Sequence, residues 1–130
     1  MTIIFCIDES GGVAFNRRRQ SRDSAVAADA IALVGTLKIS EYSAPLFAGN
    51  SVETCDPLSE TEGAVFLERT DAAPLLDRAD TLVIYNWNRR YPADVRFTAD
   101  PAACGFELCE ETEFPGTSHE KITRQVWRRG

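Results

Sequence analysis

Ile3-Ile4-Phe5-Cys6-Ile7 is an unbroken apolar run, closed by Asp8 and then by Gly11-Gly12. Successive side chains of a strand point to opposite faces. A run that is apolar on both therefore belongs in the middle of a sheet covered on each side. Thr81 to Trp87 is a second strong strand of the same kind. Between the two, strand-like and helix-like stretches alternate, which is the order of an α/β domain.

Working outward, Val26, Ala30, Leu33 and Val34 recur at helical spacing, and Gly35 stops the pattern. Ser21, Asp23 or Ser24 can cap that helix, because each offers a side-chain oxygen to the free N–H groups of its first turn. Thr36–Ser40 reads as a short strand and Glu41–Phe47 as a helical turn interrupted by Pro45. Ser51–Cys55 is a weaker strand, and residues 56–63 are a polar turn region. Ala64–Leu67 is a buried strand, Pro74–Asp80 a helix and Val95–Phe97 a possible short strand. Phe106–Phe114 alternates as a half-exposed strand does. Lys121–Arg128 alternates too, and suits equally a helix capped by Ser118. Helices come early and strands alone come late. The expected sheet is therefore mainly parallel, with antiparallel C-terminal strands and flanking helices, in one domain spanning residues 1–130.

The formal charge of −6 argues against general affinity for nucleic acid or an anionic membrane. Cys6, Cys55, Cys104 and Cys109 form no CxxC pair, so they are expected as free, buried thiols in a reduced, cytoplasmic protein without bound metal. Oligomeric state is not written in the sequence.

Against that acidic background stands Asn16-Arg17-Arg18-Arg19-Gln20-Ser21-Arg22-Asp23. It leaves the first strand and opens the first helix, where open α/β sheets bind their ligands. Clustered guanidinium groups repel one another unless an anion or carboxylates lie between them. Their planar forks grip phosphate or carboxylate, and a helix start adds N–H groups aimed at the same place. Arg17, Arg18, Arg19 and Arg22 are thus candidate ligands for a small anion. At least two of them are expected to face a crevice, with Asn16 and Tyr85 beside them and Tyr85 approaching Asp23. The plain alternative is a solvated loop paired with surface carboxylates. Asp23 reads first as the helix cap; it suits equally a buried acid or an arginine's partner.

Asn86-Trp87-Asn88-Arg89-Arg90-Tyr91-Pro92 reads as an exposed turn, although Trp87 and Tyr91 suit ring stacking. His119 is the only histidine. Its neighbour Ser118 suggests a nucleophile and base, but adjacent strand residues point apart. A surface turn histidine is therefore the expectation.

The order of elements resembles the dihydrofolate reductase family. Ala79-Asp80-Thr81-Leu82-Val83-Ile84-Tyr85 is similar to that family's late central strand, and Ala93-Asp94-Val95-Arg96-Phe97 to its Gly-Asp-x-x-Phe turn. Phe106–Phe114 and Lys121–Arg129 resemble its closing antiparallel pair, which makes the C-terminal segment a strand. Gly12-Val13-Ala14-Phe15-Asn16 resembles its mobile loop, and Asp23 its proton-donating acid. The resemblance fails at the cofactor. Where the family binds pyrophosphate on paired glycines, this chain has Glu68-Arg69-Thr70-Asp71. Where it grips phosphate with arginine and threonine, this chain has Ser40-Glu41-Tyr42-Ser43. Ala27 replaces the aromatic that packs on folate. No nicotinamide cofactor and no folate reduction are expected.

Phe15-Asn16-Arg17-Arg18-Arg19-Gln20-Ser21 also resembles a stretch in small bacterial chains sometimes labelled ribonuclease Z. That chemistry needs a histidine-rich two-metal motif, which one histidine cannot supply.

The leading expectation is a domain that binds a small anionic or nucleotide-like ligand. The enzyme alternative is a metal-independent hydrolase or transferase acting on a phosphorylated substrate, with Asp23 or His119 moving the proton and arginines stabilising charge. A third is a protein-interaction module whose arginines meet an acidic partner.

Overall fold

The computed structural model describes residues 1–130. Its elements, in chain order, are strands β1 (Thr2–Ile7), β2 (Gly12–Phe15) and β3 (Arg18–Arg19), then helix α1 (Ser24–Val34) and strands β4 (Leu37–Ile39) and β5 (Val52–Thr54). They continue with β6 (Ala64–Leu67), β7 (Thr81–Asn86), β8 (Val95–Arg96), β9 (Phe106–Phe114) and β10 (Ile122–Arg129).

Seven strands form one sheet in the order β5-β4-β6-β1-β7-β10-β9. The β1 strand lies at its centre, parallel to β6 and β7, and β10 pairs antiparallel with both β7 and β9. The C-terminal segment is therefore a strand. In β10 the side chains alternate, with Ile122 and Val126 buried on one face.

The period of two divides the core. Ile4, Phe66, Val83 and Tyr85 face α1, where Val26, Ala27 and Ala30 let the helix approach closely. Ile3, Phe5, Val65, Leu67, Leu82 and Ile84 face the other way, against Leu75, Leu76 and Phe106. Asp23 caps α1 by accepting from the Ala25 N–H, and Gly35 ends it at φ 80°, its N–H returned to the Ile31 carbonyl at 2.8 Å.

The expected flanking helices reduce to this one α-helix. Glu41–Phe47 and Ala73–Arg78 are 3-10 segments. Each is too short to repay the nucleation of an α-helix, and Pro45 lacks the N–H that a ladder needs.

The stretch read as a mobile loop is a hairpin. With β8, the β2 and β3 strands make a second, three-stranded antiparallel sheet. Asn16 at φ 53° and Arg17 at φ 62° form its two-residue turn. Such turns need positive φ at both positions. Asparagine tolerates this, but arginine gives no signal for it. Among the thiols, Cys6 and Cys55 are half-buried, while Cys104 and Cys109 are exposed rather than packed. No helix is long and apolar enough to cross a membrane.

Candidate functional site

Two buried carboxylates organise the carboxyl end of the parallel strands. Asp8 follows β1 and is fully buried. Its Oδ1 accepts from the N–H of Ser10 and Gly12 and from the Ser10 hydroxyl, all at 2.8 Å. Its Oδ2 accepts from the Gln20 side chain at 3.1 Å and from the Tyr91 N–H at 3.0 Å. Burial alone would raise its pKa, but these donors outweigh that and hold the carboxyl below its ordinary range. Gly12 is required here, because a Cβ would lie 2.5 Å from Gln20 Nε2 and 2.7 Å from the Ala93 Cβ. Asp8 thereby ties the turn after β1 to the segment that enters α1 and to the 86–92 loop.

Asp23 is the second. Besides capping α1 it accepts from the Thr117 N–H at 2.9 Å, the Thr117 hydroxyl at 2.8 Å and the Ser118 N–H at 2.8 Å. His119 Nδ1 lies 2.9 Å from its Oδ2. Burial opposes the charge, but the donors of Thr117, His119, Ser118 and Ala25 prevail and keep Asp23 ionised well below the usual carboxylate range. The 115–121 loop is moulded on this carboxylate, and a Cβ at Gly116 would collide with it.

His119 is buried, which corrects the expected surface turn. Its ring stacks on Trp87 with centroids 4.7 Å apart and 23° between planes. Its Nε2 lies 2.9 Å from the Ser21 hydroxyl and 3.0 Å from that of Tyr91. An ionised Asp23 calls for a ring proton on Nδ1, and with Nε2 unprotonated its single lone pair can accept from one of those hydroxyls. The 86–92 segment is correspondingly not an exposed turn. Trp87 is buried and Tyr91 half-buried, although Arg89 and Arg90 do point to solvent.

Ser21, Arg22 and Asp23 line a cleft together with Arg19, Gln20, Glu68 and Trp87, over an apolar floor that includes Val26 and Phe47. The cleft encloses about 420 Å³ including its open mouth. It is narrow inside, with room for roughly one ordered water.

Of the candidate arginines, Arg19 and Arg22 line this cleft, whereas Asn16, Arg17 and Arg18 lie exposed on the hairpin. Arg19 is already engaged. Its Nε and Nη2 donate to the two Glu68 oxygens at 2.6 and 3.0 Å, and it stacks over Tyr42. Ser43 completes Glu68 at 2.7 Å. Arg22 belongs to none of the chain's ion pairs.

Tyr85 is not in the cleft. Its hydroxyl donates to Asp29 Oδ2 at 2.6 Å, and Arg124 holds the same carboxylate at 2.8 Å. Strand alternation turns Tyr85 toward α1, where it meets a residue about 9 Å along the helix from Asp23 at 1.5 Å per residue.

The sequence reading missed Ser21 as a partner of His119, and Asp8, Gln20 and Glu68 as site residues. The available signal was Ser21-Arg22-Asp23: two polar side chains flanking a helix start, in a chain with a single histidine.

Glu68 bears on the cofactor that the family resemblance implies. By that resemblance it takes the place of the family's pyrophosphate-binding glycines; its carboxylate lines the cleft, fixed by Arg19 and Ser43. These residues do not fit a dinucleotide's phosphates.

No protein-family model and no curated protein matches the sequence. Solved structures do match. A dihydrofolate reductase from Enterococcus faecalis, complexed with NADP(H) and RAB-propyl, is similar with a TM-score of 0.67 at 12% identity, over 99% of this chain and 95% of that one. The chain has a dihydrofolate reductase-like fold.

Proposed function

We propose that the domain binds a small anionic or nucleotide-like ligand at the mouth of the cleft, without reductase chemistry. The observation that carries this reading is Arg22. It is a charged, exposed side chain at the cleft with no acidic partner, whereas Arg19 beside it is neutralised by Glu68. The α1 start adds backbone N–H groups with the same preference, those of Arg22 and Ser24 having no partner within the chain. The concavity around Asp23 favours a small ligand over an acidic protein surface. Its narrowness supports a ligand that docks its anionic group at the mouth rather than one wholly enclosed.

A ligand that binds only the folded state stabilises it, by about 2.7 kcal/mol at a hundred times its Kd. Thermal unfolding in phosphate, dicarboxylates and nucleotides should show such a rise, absent in Arg22→Ala. If no anion raises the midpoint, or Arg22→Ala responds like the parent, the reading fails.

A further inference from the structure

We infer that Ser21, His119 and Asp23 are the nucleophile, base and orienting carboxylate of an esterase centre; the anionic class of its substrate rests on the ligand-binding reading above. Ser21 Oγ, His119 and Asp23 are joined by two contacts of 2.9 Å, one at each ring nitrogen. This is the reach that an activated serine requires. Burial is graded in the useful direction. The side chains of Asp23 and His119 are 0% and 2% exposed, while Ser21 is half-buried and lines the cleft. The serine is also held from both sides, because Gln20 is tied to Asp8 and Asp23 caps α1. A nucleophile that must keep one geometry gains from such anchoring.

The reaction consumes only water. Ser21 Oγ forms a bond to the ester carbonyl carbon as its proton passes to His119 Nε2. The tetrahedral adduct collapses with cleavage of the bond to the alcohol oxygen, which takes the proton from Nε2. Water then attacks the acyl-serine, again through His119, and releases the acid and the free serine. While Nε2 carries the proton, the Tyr91 oxygen at 3.0 Å can accept it and Trp87 lies stacked against the cation. Both stabilise the imidazolium that the step creates. Arg22 follows Ser21 directly, so a carboxylate or phosphate on the substrate has its counter-charge at the cleft mouth.

The test uses the full chain with a fluorophosphonate probe. Its phosphorus is attacked by a serine activated in this way, with loss of fluoride. Hydrolysis is measured on p-nitrophenyl acetate and on the p-nitrophenyl monoester of succinate, and anion binding by thermal shift. Peptide mass should place the label on Ser21. Ser21→Ala should fold as the parent does by circular dichroism, lose the label, and lower kcat/KM for both esters by about 100-fold or more. Arg22→Ala should erode the preference for the succinate ester. An unlabelled Ser21, or a Ser21→Ala that hydrolyses as well as the parent, overturns the catalytic inference and leaves anion-induced stabilisation standing. A labelled Ser21 with no anion-induced shift and no preference for the charged ester overturns the anionic substrate class and the ligand reading, and leaves the nucleophile standing.

Discussion

His119 Nδ1 lies 2.9 Å from Asp23 Oδ2, although 96 positions separate the two in the chain. The contact joins the start of the only α-helix to the loop between the last two strands. Local signals of helix and strand carry no information about it.

Asp23→Asn should be strongly destabilising. Whichever way the amide is turned, its N–H₂ meets N–H donors that the second carboxylate oxygen now accepts. Leaving buried donors without an acceptor in this manner costs about 1–3 kcal/mol for each group stranded. The acid limb of stability should change with it. Asp23 is held below its unfolded value of about 3.9. Its contribution is therefore fully present above about pH 4 and is lost as pH falls through the folded value. Unfolding midpoints of the parent and Asp23→Asn, measured from pH 7 to pH 3, should converge toward the acid end. Parallel curves would count against this role.

Arg19 and Glu68 should show strong coupling. Their side chains are only 20% and 7% exposed. Glu68→Gln leaves Arg19 half-buried without its charged acceptor, at a cost of about 2 kcal/mol. In the double variant Arg19→Met, Glu68→Leu, apolar groups fill the volume and no charge is stranded, so much of that loss should return. Urea unfolding of both singles and the double checks this; simple additivity would mean that the pair is not an energetic unit.

Tyr85→Phe should cost about 1.5 kcal/mol, the worth of a hydrogen bond to a carboxylate, without touching the cleft. Burial, and then Asp29, push the Tyr85 phenol well above its ordinary value. A raised folded value means that stability is intact below the unfolded pKa of about 10 and falls above it, as the unfolded chain alone releases the proton. The alkaline limb should flatten in Tyr85→Phe. Ultraviolet titration of the native protein showing all three tyrosines ionising near pH 10 would contradict the burial argument.

Reduced nicotinamide cofactor should give no binding heat in calorimetry, and dihydrofolate should not be reduced. Where the family resemblance puts pyrophosphate-binding glycines this chain has Glu68, locked to Arg19 and Ser43, so neither bare backbone nor an unpaired guanidinium meets phosphate there. Micromolar cofactor affinity would refute this.

Much of the architecture was legible in the chain because its causes are local. Ile3–Ile7 and Thr81–Trp87 are apolar on both faces and can lie only inside a covered sheet. Val26, Ala27 and Ala30 share one side of a helix that Asp23 is chemically suited to start. The hairpin at Asn16-Arg17 was not legible, since backbone that arginine rarely adopts is imposed there by the strands it joins. Nor was the site. An isolated histidine beside Ser118 reads as a surface turn until β9 and β10 fold back and set the 115–121 loop over the start of α1. Tyr85 could be placed on its strand, but whether it meets Asp23 or Asp29 depends on where that strand crosses the helix. By itself the sequence determined where apolar side chains must be hidden, because hydrophobic patterning repeats every two or 3.6 residues. Only the tertiary structure decided which polar groups meet, because hydrogen bonds act over about 3 Å and groups far apart in sequence come that close only once the chain has folded.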